Sequence, residues 1–125
     1  MMMNDRIYQL IFNELAKYLP NSWDRLVVYL EHGEGSYSYS FFVKVGNSYT
    51  KCYDLKGINE DDLMTSFSLI EKAVAAERAK CKTELWSNMT MVVEATGKMK
   101  TAFDYTDLSS GSYQYKKSWK KAYLV

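Results

Sequence analysis

The residue order predicts an α+β fold. It has one antiparallel sheet of about five strands, a three-strand meander plus a C-terminal hairpin, packed against an N-terminal helix and a long central helix. Three observations predict it. Apolar residues recur at helical spacing over 5–19 and again over 60–82. Segments of alternating character occupy 26–31, 36–45, 48–54, 89–95 and 99–105. Glycine-bearing turns at 33–35, 46–47 and 96–97 join neighbouring strands. The order helix, three strands, helix, two strands places both helices on one face of the sheet, within a single domain over residues 1–125.

Each element has its own reason. In the first helix Ile7, Ile11, Leu15 and Tyr18 share a face, with Leu10 and Leu19 flanking. Asn4 is placed to cap its start, and Pro20 ends it by pushing Leu19 out of the α region. In the first strand Leu26, Val28 and Leu30 point one way and Val27, Tyr29 and Glu31 the other. The clearest alternation follows: Tyr37, Tyr39, Phe41, Val43 and Val45 line one face, the intervening serines and Lys44 the other. That is the pattern of a half-buried antiparallel strand. Asn59 caps the central helix, with Asp62 three residues on, and Glu60, Asp61 and Asp62 favour the positive end of its dipole. Leu63, Phe67, Ile70, Val74 and Cys81 form its apolar stripe, and Lys80 and Lys82 suit its end. The tail 113–125 is aromatic and basic, and its pattern leaves helix and extended chain both open.

Composition narrows the function. With 125 residues, 47% hydrophobic content and a net charge of +1, the chain is a globular domain with enough length for one core. No apolar run approaches the roughly 18 residues of a membrane span. The N-terminus lacks the basic segment and apolar block of a signal peptide, so the expected location is cytoplasmic. Cys52 and Cys81 are too few for a disulfide framework and read as reduced thiols. Asn88-Met89-Thr90 matches a glycosylation sequon, accidental in a chain without an export signal. Charge is uneven: residues 1–75 hold 7 Lys/Arg against 10 Asp/Glu, and 76–125 hold 9 against 5.

No catalytic set emerges. The single histidine, His32, sits at a strand end beside Gly33 and reads as an exposed turn residue; with two distant cysteines it makes no zinc site. Neither thiol lies in a nucleophile motif, and Gly33-x-Gly35 lacks the rest of a dinucleotide fingerprint. No metal or cofactor is expected. Asp104 and Asp107 are the one carboxylate pair worth weighing as acid and base. Against that, Asp104 faces away from Phe103 and Tyr105, and Asp107 suits a turn cap.

Two binding surfaces remain. Tyr113, Tyr115, Lys116, Lys117, Trp119, Lys120, Lys121 and Tyr123 interleave rings with cations, a mixture that stacks bases and neutralises phosphate. The same segment equally docks its rings on the core and leaves the lysines in solvent. The acidic residues Glu31, Glu34, Asp54, Glu60, Asp61 and Asp62 fall at strand ends, turns and a helix start, beside Tyr37, Tyr39, Tyr49 and Tyr53. Acids beside tyrosines suit a basic protein partner, by steering and by anchoring, and equally fit ordinary solvated charge and core aromatics.

The ordered features Leu19-Pro20-x-x-Trp23, Tyr53-Asp54-Leu55 before an acid-capped helix, Trp86, Gly97-Lys98, Asp104-Tyr105-x-Asp107 and Trp119 followed by Tyr123-Leu124 add a further line. In order and spacing they resemble the YezG-like immunity (antitoxin) family of bacterial toxin systems. Residues 34–52 match less well, and the near-neutral charge differs from a commonly acidic family. The resemblance implies a non-catalytic antitoxin that binds and neutralises a secreted or contact-delivered toxin domain, often a nuclease. The partner-binding candidates are then Glu31, Glu34, Tyr37, Tyr39, Tyr53, Asp54, Glu60, Asp61 and Asp62, with no membrane and no direct nucleic acid involved. The alternative is a nucleic-acid-binding module using the C-terminal segment.

Overall fold

A computed structural model describes residues 5–80 and 85–125. Helix α1 (Asp5–Ala16) leads into strands β1 (Arg25–Gly33), β2 (Ser36–Val45) and β3 (Ser48–Lys51). A 3₁₀ turn (Cys52–Asp54) and helix α2 (Glu60–Arg78) follow, then β4 (Asn88–Glu94), β5 (Met99–Asp104) and helix α3 (Tyr113–Tyr123). The five strands form one antiparallel sheet in the order β3-β2-β1-β4-β5. The α+β arrangement, the meander and the C-terminal hairpin are as the sequence predicts.

Local chemistry explains the element ends. Tyr18 and Leu19 donate to Leu15 and Ala16, so α1 tightens after Ala16 and ends short of residue 19. The Asn59 side chain accepts from the Asp62 N–H at 3.0 Å, the cap the sequence predicts. The Asn4 cap and the Cys81 and Lys82 positions lie outside the described residues. In the last hairpin Gly97 adopts φ +104°, a conformation that favours glycine, while Glu94 N–H closes the turn onto the Lys98 carbonyl at 2.8 Å. β3 is shorter than the expected 48–54. Cys52 is buried, so the chain leaves the sheet edge as a 3₁₀ turn, and Tyr53 and Asp54 sit on that turn.

The core has two parts because β1 is covered on both sides. Leu26, Val28 and Leu30 meet Tyr39, Phe41, Val43, Met89 and Met91 beneath α1 and α2. Four successive residues of the α2 stripe, Leu63, Phe67, Ile70 and Val74, close that layer. On the other face Val27, Tyr29 and Phe42 pack against Trp119 of α3. The first two helices share one face, as the sequence predicts, and the tail left open there adds a third helix on the other face. Phe42 and Val27 make the serine-bearing side of the meander apolar at its centre, and α3 covers it. The aromatic, basic tail is a helix because Tyr115, Trp119 and Tyr123 recur every four residues and together bury one stripe.

Candidate partner-binding surface

The nine candidate residues divide into four settings. Tyr53, Asp54, Glu60, Asp61 and Asp62 gather where the 3₁₀ turn meets the start of α2. All five are exposed, and Tyr53, Asn59, Glu60 and Asp61 line one shallow depression there. The acids sit at the N-terminal end of α2, where the helix dipole stabilises negative charge. Glu34 and Tyr37 lie at the β1–β2 hairpin, both exposed; the Tyr37 ring stacks on His32, with centroids 6.1 Å apart.

Tyr39 and Glu31 are placed differently. Tyr39 is 7% exposed. Its ring packs on Phe67 of α2, its hydroxyl meets His32 Nε2 at 2.5 Å, and burial pushes its phenol far above the usual tyrosine range. It supports the surface from below. Glu31 belongs to the opposite face of the sheet, where it accepts a hydrogen bond from the Tyr29 hydroxyl.

The sequence reading missed Glu14. It stands on α1 beside the start of α2, accepting from Ser66 Oγ at 2.9 Å and pairing with Lys17 Nζ at 2.7 Å. The Lys17 contact, aided by Ser66, holds its carboxyl below the usual range. It joins the group only because α1 packs on α2, a contact between residues 52 positions apart. Its place on the solvent edge of the apolar α1 stripe is the one available sequence signal.

His32 corrects another expectation. It is 7% exposed and sits between Tyr39 and Trp86, its ring edge-on to the indole at 5.3 Å. Burial, helped by the nearby Arg78 charge, pushes its pKa down to about 4, so the ring is neutral at pH 7. Arg78 stacks over the same indole and donates from Nε to the Trp86 carbonyl at 2.7 Å.

The other constellations are structural in geometry. Asp104 accepts from Thr106 Oγ1 at 2.7 Å and from the Tyr115 hydroxyl at 2.9 Å, tying β5 to α3. Asp107 accepts from the Ser109 N–H at 2.9 Å, the turn cap the sequence predicts. These bonds hold both carboxyls below the usual range, so neither is poised as a proton donor near pH 7. Asn88 is buried and donates to the Leu30 carbonyl, so the sequon is closed to modification in the folded chain. Of the tail rings, Trp119 is buried, Tyr115 and Tyr123 are half-buried, and Tyr113 is open at 73%. Lys117, Lys120 and Lys121 are exposed. Among the described residues no three His, Cys, Asp or Glu groups are placed to hold a metal ion, and no helix is long and apolar enough to cross a membrane.

The fold and this surface define an α+β protein whose acids converge beside a tyrosine at the junction of turn and helix. The chain belongs to the YezG-like immunity protein family, whose model matches residues 4–124. It is similar to the immunity protein YezG of Bacillus spizizenii, with 23% identity over 110 residues, covering 82% of this chain and 68% of that protein.

Proposed function

We propose that this protein neutralises a cognate toxin domain, a nuclease delivered by secretion or contact, by binding it in the cytoplasm without catalysis of its own. The observation that carries this reading is the family match across residues 4–124. The exposed set Tyr53, Asp54, Glu60, Asp61 and Asp62 supports the contact face. A nuclease must present positive charge to hold phosphate, and an acidic patch steers such a surface into contact. Glu34 and Tyr37 add a second contact at the β1–β2 hairpin, where the Tyr37 ring packs on His32 and Tyr39. Glu31, hydrogen-bonded to Tyr29, takes part only if the toxin reaches the α3 side of the sheet. A complex of standard size covers roughly 1,600 Å².

The test has two stages. Affinity capture of the tagged protein from its native cells, read by mass spectrometry, is expected to yield one stoichiometric partner ending in a small toxic domain. Recovery of nucleic acid alone, or of nothing, counts against the reading. With that partner in hand, Glu60→Lys combined with Asp61→Lys is expected to weaken binding at least tenfold, about 1.4 kcal/mol, mostly at low salt. Unchanged affinity would move the contact face elsewhere and leave the function standing.

A further inference from the structure

Among the described residues, no strand pairs with the outer edge of β5. β5 is the last strand in the sheet order, and its ladder runs only to β4. The direction of its outer backbone groups follows from two hydrogen bonds: Glu94 N–H donates to the Lys98 carbonyl and Ser87 N–H to the Asp104 carbonyl, both at 2.8 Å. The even-numbered residues therefore turn their backbone groups towards β4. By alternation, Met99, Thr101 and Phe103 turn theirs outward.

A bare edge pairs with another strand unless something prevents it. Here the edge carries its own selector. Lys98 and Lys100 stand at one end and Asp104 at the other, so the strand reads basic to acidic. An arbitrary strand meets two lysines and gains nothing. A second copy, running antiparallel, brings Asp104 to the lysine end.

We infer that β5 pairs with β5 of a second copy about a two-fold axis at Ala102, joining two five-stranded sheets edge to edge. Parity supports this register, because it sets the outward-turned Thr101 against Phe103 of the second copy and Met99 against Tyr105. It also places Lys100 opposite Asp104, twice by symmetry. Met99 is 39% exposed and Tyr105 is 44% exposed, so their apposition covers apolar surface now in water. Ala102 is exposed and small, and meets its own copy at the axis with no bulky side chain between. Both α3 helices then lie on one side of the joined sheet and both α1–α2 layers on the other. Backbone pairing over six residues is modest, so the dimer is weak and concentration-dependent.

The experiment uses the full chain alone and needs no toxin, so its failure leaves the immunity reading untouched. Sedimentation from low micromolar to several hundred micromolar is expected to show monomer passing into dimer. Lys100→Glu, an exposed change that sets like charges opposite each other at both pairs, is expected to weaken the dimer about tenfold. Register is tested separately by Ala102→Cys in a Cys81→Ser background. At the axis the two Cα atoms of a non-hydrogen-bonded pair lie about 4.5 Å apart, within disulfide reach. Lys100→Cys in the same background is the control, because its symmetry mate lies about 13 Å along the strand. Rapid cross-linking through position 102 and slow cross-linking through position 100 support the inference. A monomer at every concentration, or a dimer indifferent to Lys100→Glu and not trapped through position 102, overturns it.

Discussion

The two faces of the sheet are held by different means. Beneath α1 and α2, eighteen of the described residues form one buried cluster, whose side-chain polar groups are two tyrosine hydroxyls, the Cys52 thiol and the Trp86 indole N–H. Beneath α3 the buried cluster is four residues, Val27, Tyr29, Phe42 and Trp119. Its ties are polar at their tips: Trp119 Nε1–H to Thr90 Oγ1 at 2.8 Å, Tyr115 to Asp104, and Tyr49 hydroxyl to the Val125 carbonyl at 3.1 Å. Apolar area dominates the first face, and a few aromatic anchors with directional bonds dominate the second. Local stability follows contact density, so α3 opens at lower free energy than the sheet it covers and the two helices on the opposite face.

The largest expected effect tests the first face. Ile70→Ala removes a fully buried side chain from the α2 stripe and leaves a cavity that the packed layers close only in part. A loss of about 2–5 kcal/mol is expected, read as a lower urea midpoint at unchanged slope. A loss under half a kcal/mol would mean this layer is far looser than its burial implies.

Next comes pH. His32 belongs to the first face, and its folded pKa of about 4 lies below the ordinary value of 6.5. Between these values the unfolded chain binds the proton and the folded chain does not. The stabilising contribution is thus complete above about pH 6.5 and is lost as pH falls towards 4, a change on the order of 2–3 kcal/mol. Melting temperature is expected to fall between pH 7 and pH 5, and to fall less in His32→Phe. Parallel slopes for the two proteins would show that His32 is hydrated and titrates normally.

The second face gives a smaller, more local change. Trp119→Phe keeps a ring over Tyr29 but removes the donor to Thr90, at a cost of about 1–2 kcal/mol. Hydrogen exchange is expected to quicken over residues 113–123 while β1 stays protected. Equal acceleration in β1 would mean that the two faces unfold as one unit. The smallest effect is Asn59→Ala, which removes the α2 cap and is expected to cost about 1 kcal/mol in thermal or urea unfolding.

How much of this was legible beforehand differs between the faces in the same way. The first face was readable because its apolar residues recur within single elements: Leu26, Val28 and Leu30 by twos, Leu63, Phe67, Ile70 and Val74 by threes and fours. The second was not. Val27, Tyr29 and Phe42 show that the other side of the strands is apolar in places, but alternation carries no information about what lies over it. The spacing of Tyr115, Trp119 and Tyr123 by four residues was the available clue to α3, and interleaved lysines masked it. The candidate surface shows the same split. Acids at the start of α2 were expected there from dipole and capping chemistry. Tyr39 and His32 were expected near the surface, and both are internal, because α2 and Trp86 close over that end of the hairpin.

The residue order alone is enough for the succession of elements through β5, the antiparallel meander and hairpin, their turns and the Asn59 cap. Each depends on side-chain periodicity or turn chemistry within a few residues. Packing settles which exposed-looking groups are buried, that Glu14 stands with the α2 acids, and that a C-terminal helix roofs the second face. These depend on contacts across long separations, such as Trp119 with Thr90 and Ser66 with Glu14. Such contacts form where packed layers meet, and a local pattern specifies each layer's apolar side without specifying its neighbour.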